Sequence, residues 1–254
     1  MFDLVIAILG ISHAFLKLVS CSGPPPTNGH SMAGASTGLV INTTSGMVQG
    51  HRRQVPDGPE IRTWQGIPYA QPPVGKLRFR PPEKVKGWKD IKVTRQPPPA
   101  CPQPTGNPIS DVNITNMDED CLFLNIFSPE LDSEKLYPVM IWIHSGGFNR
   151  GSSLTVDPAR LTSNEQVIVV TLQYRLGALG FIYLGKEAFK ESSAAYSNLG
   201  LRDQVAGIEW ISQNIMAFGG DPTRVTLFGS EVLSSWQYIK LIKTVICKRT
   251  NSSK

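Results

Sequence analysis

The sequence contains no apolar run long enough to cross a bilayer and no spacing of cysteine and histidine that is typical of zinc sites. The longest apolar run, Leu4–Leu16, is shorter than the roughly 20 residues that a membrane-spanning helix needs. None of the four cysteines belongs to a C-x-x-C pair or to a mixed cysteine–histidine pattern. The residues therefore imply neither a membrane span nor a metal site, and no organic cofactor is implied.

Positive charge is not spread over the chain. The formal net charge is +5, but five basic residues against one acidic residue fall within Glu231–Lys254, so the other 230 residues carry about +1. The main body therefore lacks the basic surface that a nucleic-acid partner would require. One helical face of the tail, residues 231–254, is apolar enough to permit membrane contact. The sequence pattern of the main body stops abruptly where the tail begins, however, which favours an interruption of the gene or transcript. We therefore expect no membrane contact. The apolar face of the tail carries Trp236, Ile239, Ile242 and Ile246.

The beginning of the chain is typical of a secreted protein. The apolar run fits the core of a signal peptide, although no lysine or arginine precedes it. Residues 23–37, rich in proline, glycine and serine, are typical of a flexible leader. Asn42, Asn113 and Asn251 are candidate glycosylation sites because each begins an Asn-x-Ser/Thr triplet. We expect a secreted protein or one of the secretory-pathway lumen.

The rest of the chain is organised around one stretch, Tyr137–Arg150, which reads YPVMIWIHSGGFNR. Val139–Ile143 is a short apolar run of the kind found in a strand buried on both faces. Gly146 and Gly147 follow it. Their N–H groups, unshielded by a Cβ atom, can face a bound group and stabilise a developing oxyanion by a few kcal/mol. For an isolated pair of glycines, a turn with positive φ is the simpler interpretation.

The surrounding sequence favours the oxyanion interpretation, because it resembles the type-B carboxylesterase/cholinesterase family of α/β-hydrolases. In that family a His/Tyr-Gly-Gly-Gly-Phe loop supplies oxyanion-hole amides, and Ser145 stands where the first glycine usually lies. The resemblance implies an α/β protein: the N-terminal part of an α/β-hydrolase fold with a central mixed, mostly parallel sheet, here incomplete. The segments that carry it are Gly66–Pro82, Glu119–Pro129, Val170–Phe181 and Asn198–Gly229.

The resemblance also implies cross-links that hold the scaffold and take no part in the chemistry. Cys101 and Cys121 would form a disulfide closing a surface loop over the mouth of the substrate gorge. A bridge of that length stabilises by about 3 kcal/mol, whereas a cytosolic location would leave two free thiols. Two ion pairs are implied as well: Arg78 with Glu119, and Arg175 with Asp203.

The spacing of apolar residues predicts secondary structure around these motifs. The first two predicted strands are expected to be adjacent, with a polar turn between them. Asn198 can serve as the N-cap of the predicted helix, which Gly219 should end. The predicted strands are Leu122–Phe127, Val139–Ile143 and Gln166–Tyr174, and the predicted helix is Asn198–Phe218.

The catalytic pattern breaks after the strand that ends at Gly229. A nucleophile elbow, Gly-x-Ser-x-Gly, would place its serine at Glu231 and its second glycine at Leu233, and Ser230 lies one position early as a poor stand-in. α/β-Hydrolases supply the acid and the histidine after the serine, and a serine without a base is a weak nucleophile. We therefore expect no ester hydrolysis from this chain. Its histidines all precede the elbow: His13, His30, His51 and His144.

The sequence thus predicts the N-terminal portion of a carboxylesterase-type hydrolase, in a chain that is itself inactive. The resemblance implies that complete relatives cleave small-molecule carboxylic esters. The alternatives are a non-catalytic binding protein, like the cholinesterase-like adhesion proteins, or a truncated product without a function. The oligomeric state is left open.

The expected organisation follows from the places where the pattern starts and stops. Because the family pattern ends beside apolar strands, we expect the chain to fold poorly by itself. The expected segments are a signal peptide at 1–22, a leader at 23–37, a partial α/β-hydrolase domain at 38–230 and a basic tail at 231–254.

Overall fold

The computed structural model describes residues 39–105, 114–130, 135–183 and 197–229, together with three short backbone strands nearer the N-terminus. The predicted leader at 23–37 and the tail at 231–254 lie outside the described residues, as do most of the residues of the predicted signal peptide. The three N-terminal strands are β1 (Leu9–Ile11), β2 (Ala14–Leu16) and β3 (Val19–Cys21).

The remaining described elements follow the predicted alternation of strands and helices. The strands are β4 (Val40–Thr43), β5 (Gly46–Gln49), β6 (His51–Val55), β7 (Gly58–Pro68), β8 (Lys92–Val93), β9 (Phe123–Pro129), β10 (Tyr137–Ile143), β11 (Ile168–Leu172) and β12 (Gly220–Phe228). The helices are α1 (Ala159–Glu165), α2 (Gly177–Phe181) and α3 (Leu199–Asn214), with 3₁₀ turns at Gly75–Leu77 and Ile215–Phe218.

A seven-stranded mixed sheet, in the order β3-β12-β10-β11-β9-β7-β6, forms the centre of the fold. Strand β10 is parallel to both of its neighbours, β11 and β12, whereas the other described pairings in this sheet are antiparallel. The prediction that β9 and β10 are adjacent was wrong, because β11 lies between them. The polar segment after β9 is therefore not a hairpin turn, and the parallel pair β10–β11 is joined by a crossover that contains α1.

Burial along β10 alternates, because its two faces differ in cover. Val139, Ile141 and Ile143 are fully buried, whereas Met140 and Trp142 are half-buried. The predicted burial on both faces therefore holds fully for one face and partly for the other. The completely buried face continues into the core through Val170 of β11 and Leu227 of β12.

Helix α3 packs on the sheet through a face that carries polar as well as apolar residues. Ile208 and Ile211 are buried, and Asp203 and Gln204 are buried beside them. The predicted N-cap was wrong in its mechanism: Asn198 occupies the N-cap position with φ 54° and its side chain makes no capping hydrogen bond. The helix tightens into the 3₁₀ turn that ends at Gly219, whose φ of 91° is readily adopted by glycine.

Candidate active site

Strand β10 delivers a buried histidine to the start of the glycine loop, defined here as Ser145–Gly151. The His144 side chain is fully buried, and its ring stacks on Tyr174 with 4.3 Å between ring centroids. The Tyr174 hydroxyl donates a 2.9 Å hydrogen bond to the carbonyl of His144. The residue that enters the loop is therefore held through both its ring and its backbone.

His144 is built to remain neutral. Its Nδ1 lies 3.0 Å from the Ser145 carbonyl oxygen, which makes Nδ1 the donor, and its Nε2 has no hydrogen-bond partner among the described residues. Burial lowers the pKa of His144 to about 4, and the hydrogen bond to Ser145 opposes this shift only in part. This environment suits a residue that orients the backbone and not one that accepts protons near neutral pH.

The two glycines adopt backbone conformations that other residues avoid. Gly146 has φ 121°, and a Cβ atom there would lie 2.1 Å from the Arg150 carbonyl oxygen. Gly147 has φ 58°, in the left-handed region, with open space around the position of a Cβ atom. The pair thus forms the positive-φ turn of the simpler interpretation, and Gly146 also permits a close approach between two parts of the loop.

Hydrogen bonds to carbonyls fix the direction of the amides in this loop. The Gly146 carbonyl accepts from the N–H groups of Asn149 and Arg150 at 3.0 and 3.1 Å, and the Ser145 carbonyl accepts from His144. In a planar trans peptide the following N–H points away from the carbonyl. Fixing these two carbonyls therefore orients the N–H groups of Gly146 and Gly147.

Two side-chain amides that no sequence motif indicated anchor the end of the glycine loop and the two residues after it. Gln103 donates to the Gly151 carbonyl and accepts from the Gly151 N–H, both at 2.8 Å. Gln173 accepts from the N–H of Ser153 at 3.1 Å and donates to the Ser152 hydroxyl at 3.0 Å. No local pattern distinguishes these two glutamines from surface glutamines, so only the tertiary structure reveals them.

The predicted disulfide is confirmed. Cys101 and Cys121 are bonded, with their Cα atoms 5.1 Å apart, and both are fully buried. The bridge closes a loop that includes Gln103. Asn113 belongs to the same loop but lies outside the described residues.

The structure brings together both predicted ion pairs, in very different surroundings. Arg78 meets Glu119 in two contacts of 2.6 and 2.7 Å, with side-chain exposures of 44% and 29%. Arg175 meets Asp203 in two contacts of the same lengths, with exposures of 3% and 0%. Neither pair touches the glycine loop through a described hydrogen bond, so both belong to the scaffold around the site.

Strand β12 brings the position of the expected elbow to the same edge of the sheet as the glycine loop. It runs parallel to β10, with Phe228 opposite Trp142, so both strands end together. Residues that follow the carboxyl ends of neighbouring parallel strands meet at one edge, where α/β proteins place their ligands. Ser230 and Glu231, which would form the elbow, lie outside the described residues.

Other kinds of site find no support in the part of the chain that the structure describes. Among those residues there is no cluster of three histidine, cysteine or carboxylate side chains placed to hold a metal ion. None of the helices formed by these residues is long and apolar enough to cross a membrane.

Comparison with known proteins identifies the family. A model of the carboxylesterase family matches residues 37–232. The chain belongs to the carboxylesterase family. It is 43% identical to the para-nitrobenzyl esterase of Bacillus subtilis (strain 168), over 76% of this chain and 38% of that protein. It is 41% identical to an acetylcholinesterase of Electrophorus electricus, over 78% of this chain and 32% of the relative.

The similarity extends to three-dimensional structure. A solved structure of a thermophilic PNB esterase superimposes with a TM-score of 0.66 at 43% identity, covering 75% of this chain and 38% of that one. This match confirms the predicted α/β-hydrolase fold and its partial extent. The chain spans about a third of the length of these carboxylesterase-family relatives.

Proposed function

We propose that this chain is a carboxylesterase-family scaffold that carries the oxyanion loop but does not itself hydrolyse esters. The glycine loop supports the first half of the proposal, since the fixed carbonyls of Ser145 and Gly146 orient the amides of Gly146 and Gly147, both of which have positive φ. The esterase names of the relatives support small-molecule carboxylic esters as the substrate class of complete family members. There, the oxyanion amides would stabilise the tetrahedral intermediate of acyl transfer.

The observation that carries the second half is the identity of the elbow residues. Glu231 occupies the serine position and Leu233 the position of the second glycine, where the tight strand-to-helix turn needs a residue without a side chain. Ser230 would leave the turn in another direction. His144 cannot serve as its base, because its ring is buried, stacked on Tyr174, and neutral with a pKa of about 4.

Labelling with a fluorophosphonate probe tests the proposal directly. The chain should show no covalent label and no burst of p-nitrophenol from p-nitrophenyl acetate, under conditions where the para-nitrobenzyl esterase of Bacillus subtilis gives both. Ser230→Ala is the matched control. Labelling of the chain that disappears in Ser230→Ala would overturn the proposal and identify Ser230 as a nucleophile.

Peptide mass spectrometry across Phe228–Ser235 shows whether the native protein contains the Gly-x-Ser-x-Gly motif of the esterases. A peptide that continues into Gly-x-Ser-x-Gly would assign ester hydrolysis to the native protein. Peptides that read only the present sequence would support a chain without the esterase nucleophile. The proposed domain, 38–230, agrees with the extent of the family match, which supports treating 231–254 as a separate tail.

We further propose that the protein passes through the secretory pathway. The Cys101–Cys121 disulfide supports this location, since such bonds persist in oxidising compartments. Asn42 lies exposed on β4 within its Asn-x-Thr triplet, where a glycosyltransferase can reach it. A mass decrease after treatment with peptide N-glycosidase, absent in Asn42→Gln, would support glycosylation at this site. An unchanged mass would count against it.

A further inference from the structure

The glycine loop is nearly a closed ring, because its last residue touches its first. A Cβ atom at Gly151 would lie 2.2 Å from the Ser145 carbonyl oxygen and 2.4 Å from Nδ1 of His144. Gly151 has φ 113°, a conformation that only glycine adopts without strain. The backbone of Gly151 therefore packs against the carbonyl whose direction sets the Gly146 amide. Whatever holds Gly151 also limits the movement of the oxyanion amides.

One side chain holds both polar groups of Gly151. Gln103 presents its Oε1 to the Gly151 N–H and its Nε2 to the Gly151 carbonyl, the pattern of a strand pairing reproduced by a side-chain amide. The same Nε2 lies 3.0 Å from the carbonyl of Cys101, two residues earlier. The side chain thus bridges the backbone of a disulfide-bonded cysteine and the end of the glycine loop.

We propose that Gln103 is a positioning residue that couples the Cys101–Cys121 disulfide to the oxyanion loop. The disulfide holds the backbone at Cys101, whose carbonyl accepts a hydrogen bond from the Gln103 amide. The Gln103 amide in turn holds the backbone of Gly151 against Ser145. Opening of the disulfide would then loosen the loop through loss of the Gln103 hydrogen bonds. The inference goes beyond the proposed function, since it does not require the chain to hydrolyse an ester.

Hydrogen–deuterium exchange of the full chain, read by mass spectrometry with fragmentation, tests the positioning role. Gln103→Met keeps the length of the side chain but removes all three hydrogen bonds, and it should speed exchange within Ser145–Gly151 by about tenfold or more. Exchange in β10 and β11 should not change. Gln71→Met is the matched control, because the half-buried Gln71 also donates to a backbone carbonyl, that of Lys84, away from the loop.

A second variant separates the hydrogen bonds that Gln103 donates from the one that it accepts. Gln103→Glu keeps an oxygen for the Gly151 N–H but loses the donor to the carbonyls of Cys101 and Gly151. Protection of the Gly151 amide should therefore survive in Gln103→Glu and be lost in Gln103→Met. Exchange that is unchanged in Gln103→Met, or accelerated equally in β10 and in the loop, would overturn the positioning role.

Coupling to the disulfide is tested by combining changes. The double replacement Cys101→Ala/Cys121→Ala should also accelerate exchange in the loop, and adding Gln103→Met should accelerate it little further, because both act through the same Gln103 hydrogen bonds. If the fold-increases in loop exchange caused by the cysteine replacements and by Gln103→Met multiply in the combined variant, the two changes act independently. That result would overturn the coupling. If the cysteine variant loses protection in β10, tris(2-carboxyethyl)phosphine is used on the folded chain instead. The phosphine becomes its oxide, with oxygen from water, and the disulfide takes up two electrons and two protons as two thiols.

Discussion

Two arginine–carboxylate pairs of equal geometry but unequal burial offer a test of what holds this fold together. Arg175–Asp203 and Arg78–Glu119 each make two contacts of 2.6 and 2.7 Å. Water reaches the second pair but not the first. If burial decides the cost of breaking a pair, the same conservative change should have very different effects at Asp203 and at Glu119.

Asp203→Asn removes the buried negative charge while preserving the shape of the side chain. Asp203 accepts from Nε and Nη2 of Arg175 and also from its backbone N–H at 3.1 Å. The asparagine amide would turn an NH₂ group toward a guanidinium that can only donate, and the arginine charge would stay buried without a counterion. Such a loss costs about 3–5 kcal/mol. For a domain of this size it corresponds to a fall in Tm of roughly 6–20 °C.

Urea unfolding of the full chain, followed by circular dichroism, measures the difference. Glu119→Gln is the control, and its free energy of unfolding should remain close to that of the parent, because a hydrated arginine tolerates the loss of its partner. The double variant Arg175→Met/Asp203→Leu should recover part of the loss in Asp203→Asn, since no charge remains buried. Equal losses in Asp203→Asn and Glu119→Gln, or no recovery in the double variant, would refute the reasoning.

Three further predictions concern the loop and its supports. The pKa of His144 is about 4 in the folded state and about 6.5 in the unfolded chain. Between these values the unfolded state binds a proton that the folded state does not. The free energy of unfolding should therefore fall by up to about 3 kcal/mol as the pH drops from 6.5 to 4. In His144→Phe that part of the pH dependence should vanish in urea titrations at pH 7 and pH 4. Gly146→Ala should lower the unfolding free energy more than Gly147→Ala, because only the former drives a Cβ into backbone; equal losses would contradict this. Cys101→Ser/Cys121→Ser should lower it by about 3 kcal/mol, and an unchanged unfolding midpoint would exclude a stabilising bridge.

The sequence was informative where function follows from a motif along the chain. Strand β10, the glycine pair after it and the long helix α3 could each be predicted, because hydrophobic periodicity and glycine placement are local signals. The order of the strands in the sheet could not be predicted in the same way. The segment between β9 and β10 has the polar composition of a turn, yet β11 inserts between these strands, and only long-range parallel pairing decides that.

Buried polar contacts were beyond the reach of sequence patterns. Arg62 is fully buried, and its guanidinium donates to the carbonyls of Pro129 and Phe218 and to the hydroxyl of Ser128. Burial lowers the pKa of Arg62 to about 10, so the group remains charged in the interior at neutral pH. Its partners come from residues distant in the chain, so no spacing rule could have selected this arginine or, for the same reason, Gln103.

The described supports of the glycine loop come from segments other than β12, the strand after which the nucleophile elbow is expected. The loop is held by His144, Gln103 and Gln173. Each is joined to the scaffold by a hydrogen bond: the His144 carbonyl accepts from Tyr174, and the two glutamines donate to the carbonyls of Cys101 and Pro99. The expected elbow, at Ser230 and Glu231, follows β12 and lies outside the described residues. Hydrogen exchange of the glycine loop and fluorophosphonate labelling of the same chain therefore examine two different parts of the proposed site. If loop exchange is slow in a chain that no fluorophosphonate labels, the loss of chemistry would lie outside the glycine loop, and Glu231 at the expected serine position would be its first candidate.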